Sequence, residues 1–193
     1  MIKYNGINKI KIAVFVSGKG SNLLNLIKFS KKKNSLISID YIVSSSAKAY
    51  GLKYAKEYNI KKIIFFPSTK INQKKILKLF NQKNIKLICL AGYMKILPAS
   101  FIKDFKGKII NIHPSLLPKY KGLNTFERVI QNKEKFTGST VHYVNKKLDS
   151  GKIIYQKKIK ILQKDNIKSL ERKVKKIEFE IYPISIIKII NHL

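Results

Sequence analysis

The chain has 193 residues, 45% of them apolar, and carries 41 Lys plus Arg against 10 Asp plus Glu, a formal net charge of +31. That is enough for a single domain over residues 1–193 with a full core and no disulfide or metal staple, and no apolar run reaches the roughly 18 to 20 residues of a membrane span. Only two of the cations are arginine, Arg128 and Arg172, and the lysines run from end to end without a basic arm, so the excess reads as solvated surface with no dedicated nucleic-acid or membrane partner.

The first element in chain order is the apolar run 10–16, a strand that enters Ser17-Gly18-Lys19-Gly20-Ser21-Asn22, after which Leu23, Leu24 and Ile27 begin a helical pattern. A second strand at 37–44 leads to Ser44-Ser45-Ser46, and the spacing of Leu52, Ala55 and Tyr58 predicts a helix over 47–58. A third strand at 62–66 stops at Pro67. A lysine-rich helix over 72–82 turns Ile76, Leu79 and Phe80 to one side, and strand 86–91 is almost wholly apolar, as expected of a strand covered on both faces. It contains the lone cysteine, Cys89, which suits a buried strand better than redox chemistry. Pro98 opens a short helix to 104, and strand 108–112 ends at His113-Pro114.

After this beta-alpha alternation come two extended runs, 139–144 and 153–161, separated by an irregular loop, which read as an antiparallel excursion. Ile167, Leu170, Val174, Ile177 and Ile181 then mark an amphipathic helix that Pro183 is expected to end or kink, followed by a packed apolar tail at 184–190. The fold class that follows is α/β: a Rossmann-like open, mainly parallel twisted sheet with helices on both faces and an antiparallel addition in the C-terminal third. Residues 1–8 and 191–193 read as frayed ends.

Three groups of residues could carry chemistry. Gly18, Lys19, Gly20, Ser21 and Asn22 would set flexible backbone and amides at a helix start, suited to a phosphate or simply to a turn; the string matches neither the dinucleotide fingerprint nor the Walker spacing. A period of two puts Asn111 and His113 on one side of a strand end, with Pro114 and Ser115 following. An amide donor and an imidazole so placed suit acyl transfer to an amine, or else a hydrogen-bonded histidine at a turn. His142 and Asp149 can join them only through folding, and an aspartate beside an imidazole favours its charged form. With three histidines, one of them the near-terminal His192, and one cysteine, no metal site is expected.

Taken in order, these strings with Leu90 through Leu97, Lys119 through Leu123, Gly138 through His142, Leu148 through Gly151 and Glu178 with Ile181-Tyr182-Pro183 resemble the folate-dependent phosphoribosylglycinamide formyltransferase family over about residues 10–183. The resemblance implies transfer of the formyl group of 10-formyltetrahydrofolate to glycinamide ribonucleotide in purine biosynthesis, by direct amine attack without a covalent enzyme intermediate. It implies that Asn111, His113 and Asp149 are catalytic, with His142, Pro114 and Ser115 in support. Gly18, Lys19, Gly20, Ser21, Asn22 and Glu178 would bind the nucleotide, and Lys74, Met94, Lys95, Ile96, Leu97, Asn111 and Asp149 would face the folate. It further implies a cytoplasmic monomer or weak homodimer without metal, a phosphate-binding half at 1–97 and a catalytic and folate-loop half at 98–193.

The chain departs from the pattern at Asn124, Phe126 and Phe179, where several relatives carry histidine, and at Lys95, where arginine is common and whose planar fork lysine lacks. Methionyl-tRNA formyltransferases and a formyltetrahydrofolate hydrolase share parts of the pattern, but the added C-terminal or N-terminal domain expected of each is not seen here. A basic RNA-binding protein on a degenerate enzyme scaffold is the reading from another class.

Overall fold

The structure is a computed structural model that describes residues 9–191. The expected fraying of residues 1–8 and 192–193, His192 included, lies outside the described residues, whereas Asn191 is the C-cap of the last helix. Among the described residues one seven-stranded sheet has the order β3-β2-β1-β4-β5-β6-β7. The strands are β1 (Ile10–Val16), β2 (Ile37–Ser44), β3 (Lys61–Ile64), β4 (Leu87–Leu90), β5 (Lys108–His113), β6 (Phe136–Tyr143) and β7 (Ile153–Lys160). β1 to β5 run parallel to one another, and β6 and β7 are antiparallel additions.

Both faces are covered. Ile12, Val14 and Val16 of β1 pack with residues of α1 (Ser21–Ser30) and α6 (Ile167–Ile190), while Ala13 and Phe15 point the other way, among residues of α3 (Lys70–Gln82) and α4 (Ala99–Asp104). This alternation is the two-residue period of a strand. Phe15 sits edge-on to Phe65, Phe80 and Tyr93 with centroids 5.3 to 6.3 Å apart, each such pair contributing about 0.5–1.5 kcal/mol beyond burial. The buried Tyr182 hydroxyl donates to the Leu90 carbonyl at 2.8 Å and ties α6 to the centre of the sheet. The chain steps outward from β1 to β2 and β3, then returns to β4 on the other side. The strand order thus reverses between β1 and β4, and in open α/β sheets the carboxyl edge at such a reversal is where ligands bind.

Three expectations change. The helix expected over 47–58 is a 3-10 turn at Tyr50–Leu52 followed by the short α2 (Lys53–Glu57). The amide of Gly51 donates to the Gly18 carbonyl at 3.0 Å, which holds this stretch against the loop after β1 instead of in an α-helix. Helix α5 (Thr125–Gln131) is absent from the sequence reading, because its seven residues bury only Thr125 and Val129 and give no periodic signal. Pro183 does not end α6, which runs through it to Ile190. A proline leaves the carbonyl four residues earlier without its helical donor. Here that carbonyl belongs to Phe179 and accepts instead from the Asn25 side chain of α1 at 2.8 Å, so the helix can continue and its apolar last turns pack as helix.

Candidate active site

The loop after β1 turns on Gly20, which caps α1 at φ 75°. A Cβ there would lie 2.8 Å from the Cα of Gly51, so both the positive φ and the close approach require glycine. α1 starts at Ser21 with no acidic residue in its first turn and no side chain capping its amides, which leaves donors facing outward. Beside it is a hollow of about 670 Å³ whose walls include Lys19, Ser21, Asn25, Lys28, Tyr50 and Phe179. Asn22 points elsewhere. Its amide nitrogen donates to the Glu178 carboxylate at 2.8 Å across 156 residues of sequence, and its buried Oδ1 has no partner. Burial pushes the Glu178 carboxyl up from its ordinary value, against the opposing effect of the Asn22 bond.

On β5, Asn111 and His113 share one side, while Ile110 and Ile112 pack toward α6. The antiparallel register of β6 sets His142 opposite Asn111 and Thr140 opposite His113. The β6–β7 loop then brings Asp149, at φ 45°, into the same cluster. One carboxylate oxygen lies 3.4 Å from the Asn111 amide nitrogen and 3.6 Å from His142 Nε2. The other accepts from the Gly122 amide at 2.9 Å and lies 3.4 Å from His113 Nδ1. All these residues but Asn111 and Gly122 are more than nine-tenths buried.

The backbone determines which tautomer each ring adopts. His113 Nε2 meets the Tyr120 carbonyl at 2.8 Å and His142 Nδ1 meets the Tyr143 carbonyl at 2.8 Å; a carbonyl only accepts, so both nitrogens carry hydrogen. The ring nitrogens left without a backbone partner are therefore His113 Nδ1 and His142 Nε2, both turned to Asp149. Burial pushes His113 down from its ordinary value, outweighing the Tyr120 carbonyl and the Asp149 charge; His142 and Arg128 push the same way. Burial works to raise the Asp149 carboxyl, but bonds from His142 and the Gly122 amide, with the charge of His113, hold it below the usual range. The 3.4 Å gap between Nδ1 and the carboxylate is long for a charge-assisted bond and agrees with a neutral ring beside an ionised acid.

Neighbouring residues brace the cluster. Ser139 Oγ donates to the His113 carbonyl at 2.8 Å, Thr140 Oγ1 to the Ser115 carbonyl at 2.6 Å, and Ser115 Oγ to the Lys119 carbonyl at 2.7 Å. The segment after β4 is fastened to the loop after β1: the Ser17 amide donates to the Gly92 carbonyl at 3.1 Å and the Met94 amide to Ser17 Oγ at 2.9 Å. Met94, Ile96, Leu123 and Leu148 each expose more than half of their surface in segments that flank the cluster, and Lys95 is exposed between the first two.

Not every expected residue joins this arrangement. Leu97 is buried in the aromatic core with Phe101 and packs there instead of lining a pocket. Lys74 is exposed on α3, and among the described residues no hydrogen bond or ion pair joins it to the cluster. Pro114 directly follows His113 and is half-buried. Ser17, Gly51, Tyr120, Gly122 and Arg128 were missed; each acts through backbone atoms or reaches backbone atoms, for which side-chain pattern carries no signal. Among the described residues no group of three or more His, Cys, Asp or Glu is arranged to hold a metal ion, and no helix is long and apolar enough to cross a membrane.

Residues 10–186 match the family described as Formyl transferase. A phosphoribosylglycinamide formyltransferase of Haemophilus influenzae is 41% identical over 180 residues, covering 91% of this chain and 85% of that protein. The trifunctional purine biosynthetic protein adenosine-3 of Homo sapiens is 36% identical over 188 residues, which span 92% of this chain and 18% of that longer protein. Among solved structures, phosphoribosylglycinamide formyltransferase from Anaplasma phagocytophilum superposes with a TM-score of 0.86 at 37% identity, covering 93% of this chain and 85% of that one.

Proposed function

The chain belongs to the formyl transferase family, and we propose that Asn111, His113 and Asp149 perform its chemistry. It is a phosphoribosylglycinamide formyltransferase, transferring the formyl group of a folate-derived donor to the amine of N1-(5-phospho-D-ribosyl)glycinamide in purine biosynthesis. The donor is 10-formyltetrahydrofolate, which supplies an electrophilic formyl carbon. The observation that carries the catalytic assignment is the convergence of an amide, two imidazoles and one carboxylate around Asp149.

As the substrate amine attacks, negative charge grows on the formyl oxygen. The Asn111 amide, held only by contacts of 3.3 and 3.4 Å in the resting site, turns a hydrogen toward that oxygen. The amine must also lose a proton. The Asp149–His113 pair takes it up at the carboxylate or at His113 Nδ1 and returns it to the departing folate nitrogen, so the proton balance closes with no added acid or base. His142 braces Asp149 and Asn111, with Pro114 and Ser115 fixing the turn beyond His113.

The nucleotide phosphate sits on the outward amides of Gly20 and Ser21, with Gly18 and Lys19 around it, and Asn22 and Glu178 meet the glycinamide portion. Met94, Lys95 and Ile96 offer apolar surface and a cation to the folate. Residues 1–97 thus hold mainly the nucleotide, and 98–193 supply the chemistry. A cytoplasmic monomer or weak homodimer that needs no metal and no nucleic acid completes the proposed reading. Purified protein should convert glycinamide ribonucleotide and 10-formyltetrahydrofolate to formylated nucleotide and tetrahydrofolate. Release of formate at the same rate without an amine acceptor would replace this reading with a hydrolase.

A further inference from the structure

We propose that Arg128 is a positioning residue that locks the strap 119–124 so that it presents one backbone carbonyl to His113 and one backbone amide to Asp149. The proposal rests on the reading that His113 and Asp149 act in the reaction. The strap supplies the Tyr120 carbonyl to His113 Nε2 at 2.8 Å and the Gly122 amide to Asp149 at 2.9 Å. It is an unfavourable conformation, with Tyr120, Gly122 and Asn124 at φ 57°, 77° and 54°, and such backbone persists only where its surroundings hold it.

Arg128, on the first turns of α5, holds the stretch between the two contacts. One guanidinium nitrogen donates to the Lys121 carbonyl at 2.7 Å and to the Leu123 carbonyl at 3.3 Å, while the guanidinium carbon lies 5.3 Å from the centre of the Tyr120 ring. The Tyr120 hydroxyl donates to Glu134 at 2.8 Å and steadies that ring from its far end. With arginine's planar fork, one nitrogen bonds two carbonyls while the guanidinium carbon lies over an aromatic ring; a lysine keeps the charge but loses that geometry. This chain spends one of its two arginines there.

The position also has an electrostatic consequence. The groups facing His113 are Asp149 from the β6–β7 loop, His142 from β6, Tyr120 from the strap and Arg128 from α5. Of these only Asp149 is an anion, and Arg128 is the one permanent cation. Burial is what chiefly keeps His113 neutral and able to accept a proton next to an ionised Asp149, and Arg128 adds a smaller push in the same direction.

The test uses full-length Arg128→Met, Arg128→Lys and Arg128→Gln. For Arg128→Met, kcat should fall at least about tenfold, as expected when catalytic groups lose alignment, with the nucleotide KM within about twofold, and the His113 ring should titrate at higher pH by NMR. Arg128→Lys should restore that titration but recover kcat only in part, separating the charge from the fork. If Arg128→Met fails to fold, the other two decide: loss of turnover in a folded Arg128→Gln with a raised His113 titration supports the proposal. Wild-type kcat and wild-type His113 titration in the folded variants would overturn it. His113→Ala and Asp149→Asn run alongside: were both fully active while the Arg128 variants still shifted the His113 titration, the catalytic reading would fall and the positioning role would stand.

Discussion

Asp149→Asn replaces a carboxylate by an amide of nearly the same shape, so it tests charge with little change in packing. The Gly122 amide donates to one carboxylate oxygen at 2.9 Å, which orients the new amide with its oxygen there and its NH2 where the other oxygen stood. That NH2 then faces the Asn111 amide nitrogen, 3.4 Å from the original oxygen, and two donors confront each other. His113 Nδ1 loses an anion 3.4 Å away. Unit charges at that distance attract by about 5 kcal/mol at an effective dielectric of about 20, before desolvation is counted, so a protonated His113 becomes much harder to reach during turnover. With general acid–base catalysis contributing roughly 10²–10⁴-fold, kcat should drop on the order of 10²- to 10³-fold while nucleotide affinity changes little. Single-turnover rates across pH, with nucleotide binding measured separately by calorimetry, give both quantities. A folded Asp149→Asn protein with kcat within about threefold of wild type would refute the proton-transfer role.

Asn111→Ala removes the donor aimed at the developing oxyanion and should lower kcat on the order of 100-fold with nucleotide affinity within about twofold; an effect confined to KM would contradict it. Glu178→Gln should stabilise the protein at pH 7, because burial raises the wild-type carboxyl above its ordinary 4.5 and the ionised form costs folding energy above that pH. The gain in Tm should disappear as pH falls below 4.5 while the nucleotide KM rises, and a lower Tm at pH 7 would show that the ionised carboxylate contributes stability after all. Gly20→Ala forces a Cβ onto φ 75° and to 2.8 Å from Gly51 Cα, so it should cost about 1–3 kcal/mol in denaturant unfolding and weaken nucleotide binding; unchanged binding by a folded variant would detach the loop from that task. The wild type itself should lose stability in acid. His113 lies below its ordinary 6.5 and Asp149 below its ordinary 3.8, so unfolded chains bind more protons from about pH 6.5 downward, and denaturant midpoints recorded from pH 8 to 3 should fall through that window.

The centre of the sheet was legible because β1 and β4 are buried on both faces and read as apolar runs, and because the turns before the helices carry small residues. Asn111 and His113 were legible for a related reason: a two-residue period assigns them to one side of a strand whatever the rest of the chain does. Asp149 and His142 were not legible from spacing, since a cross-strand register and a loop carry them to the cluster; the resemblance alone pointed there. Helix α5 and the 3-10 turn at Tyr50–Leu52 escaped because short elements are decided by tertiary hydrogen bonds, such as that from Gly51 to Gly18. The misreading at Pro183 has the same origin. Local sequence records the missing amide, while the compensating donor, Asn25, lies on another helix.

That same contact involves Phe179, which with Asn124 is a position where the resemblance implies histidine in several relatives. Asn124 caps α5 at φ 54°, a left-handed conformation that asparagine tolerates better than most residues, so a backbone requirement accounts for it without any role in proton transfer. Phe179 lines the hollow beside the loop after β1, while its carbonyl, held by Asn25, lets α6 run on through Pro183. Both positions flank the site and are not among the groups that touch Asp149. The inner cluster is built differently: one carboxylate meets Asn111, His113, His142 and Gly122, the first three set by the register of β5 with β6 and the last by the strap 119–124. Substitutions on the walls can therefore alter how substrates fit while leaving the proton path intact. A change in register would shift Asn111 and His113 against His142, and a change in the strap would take a backbone partner from both His113 and Asp149.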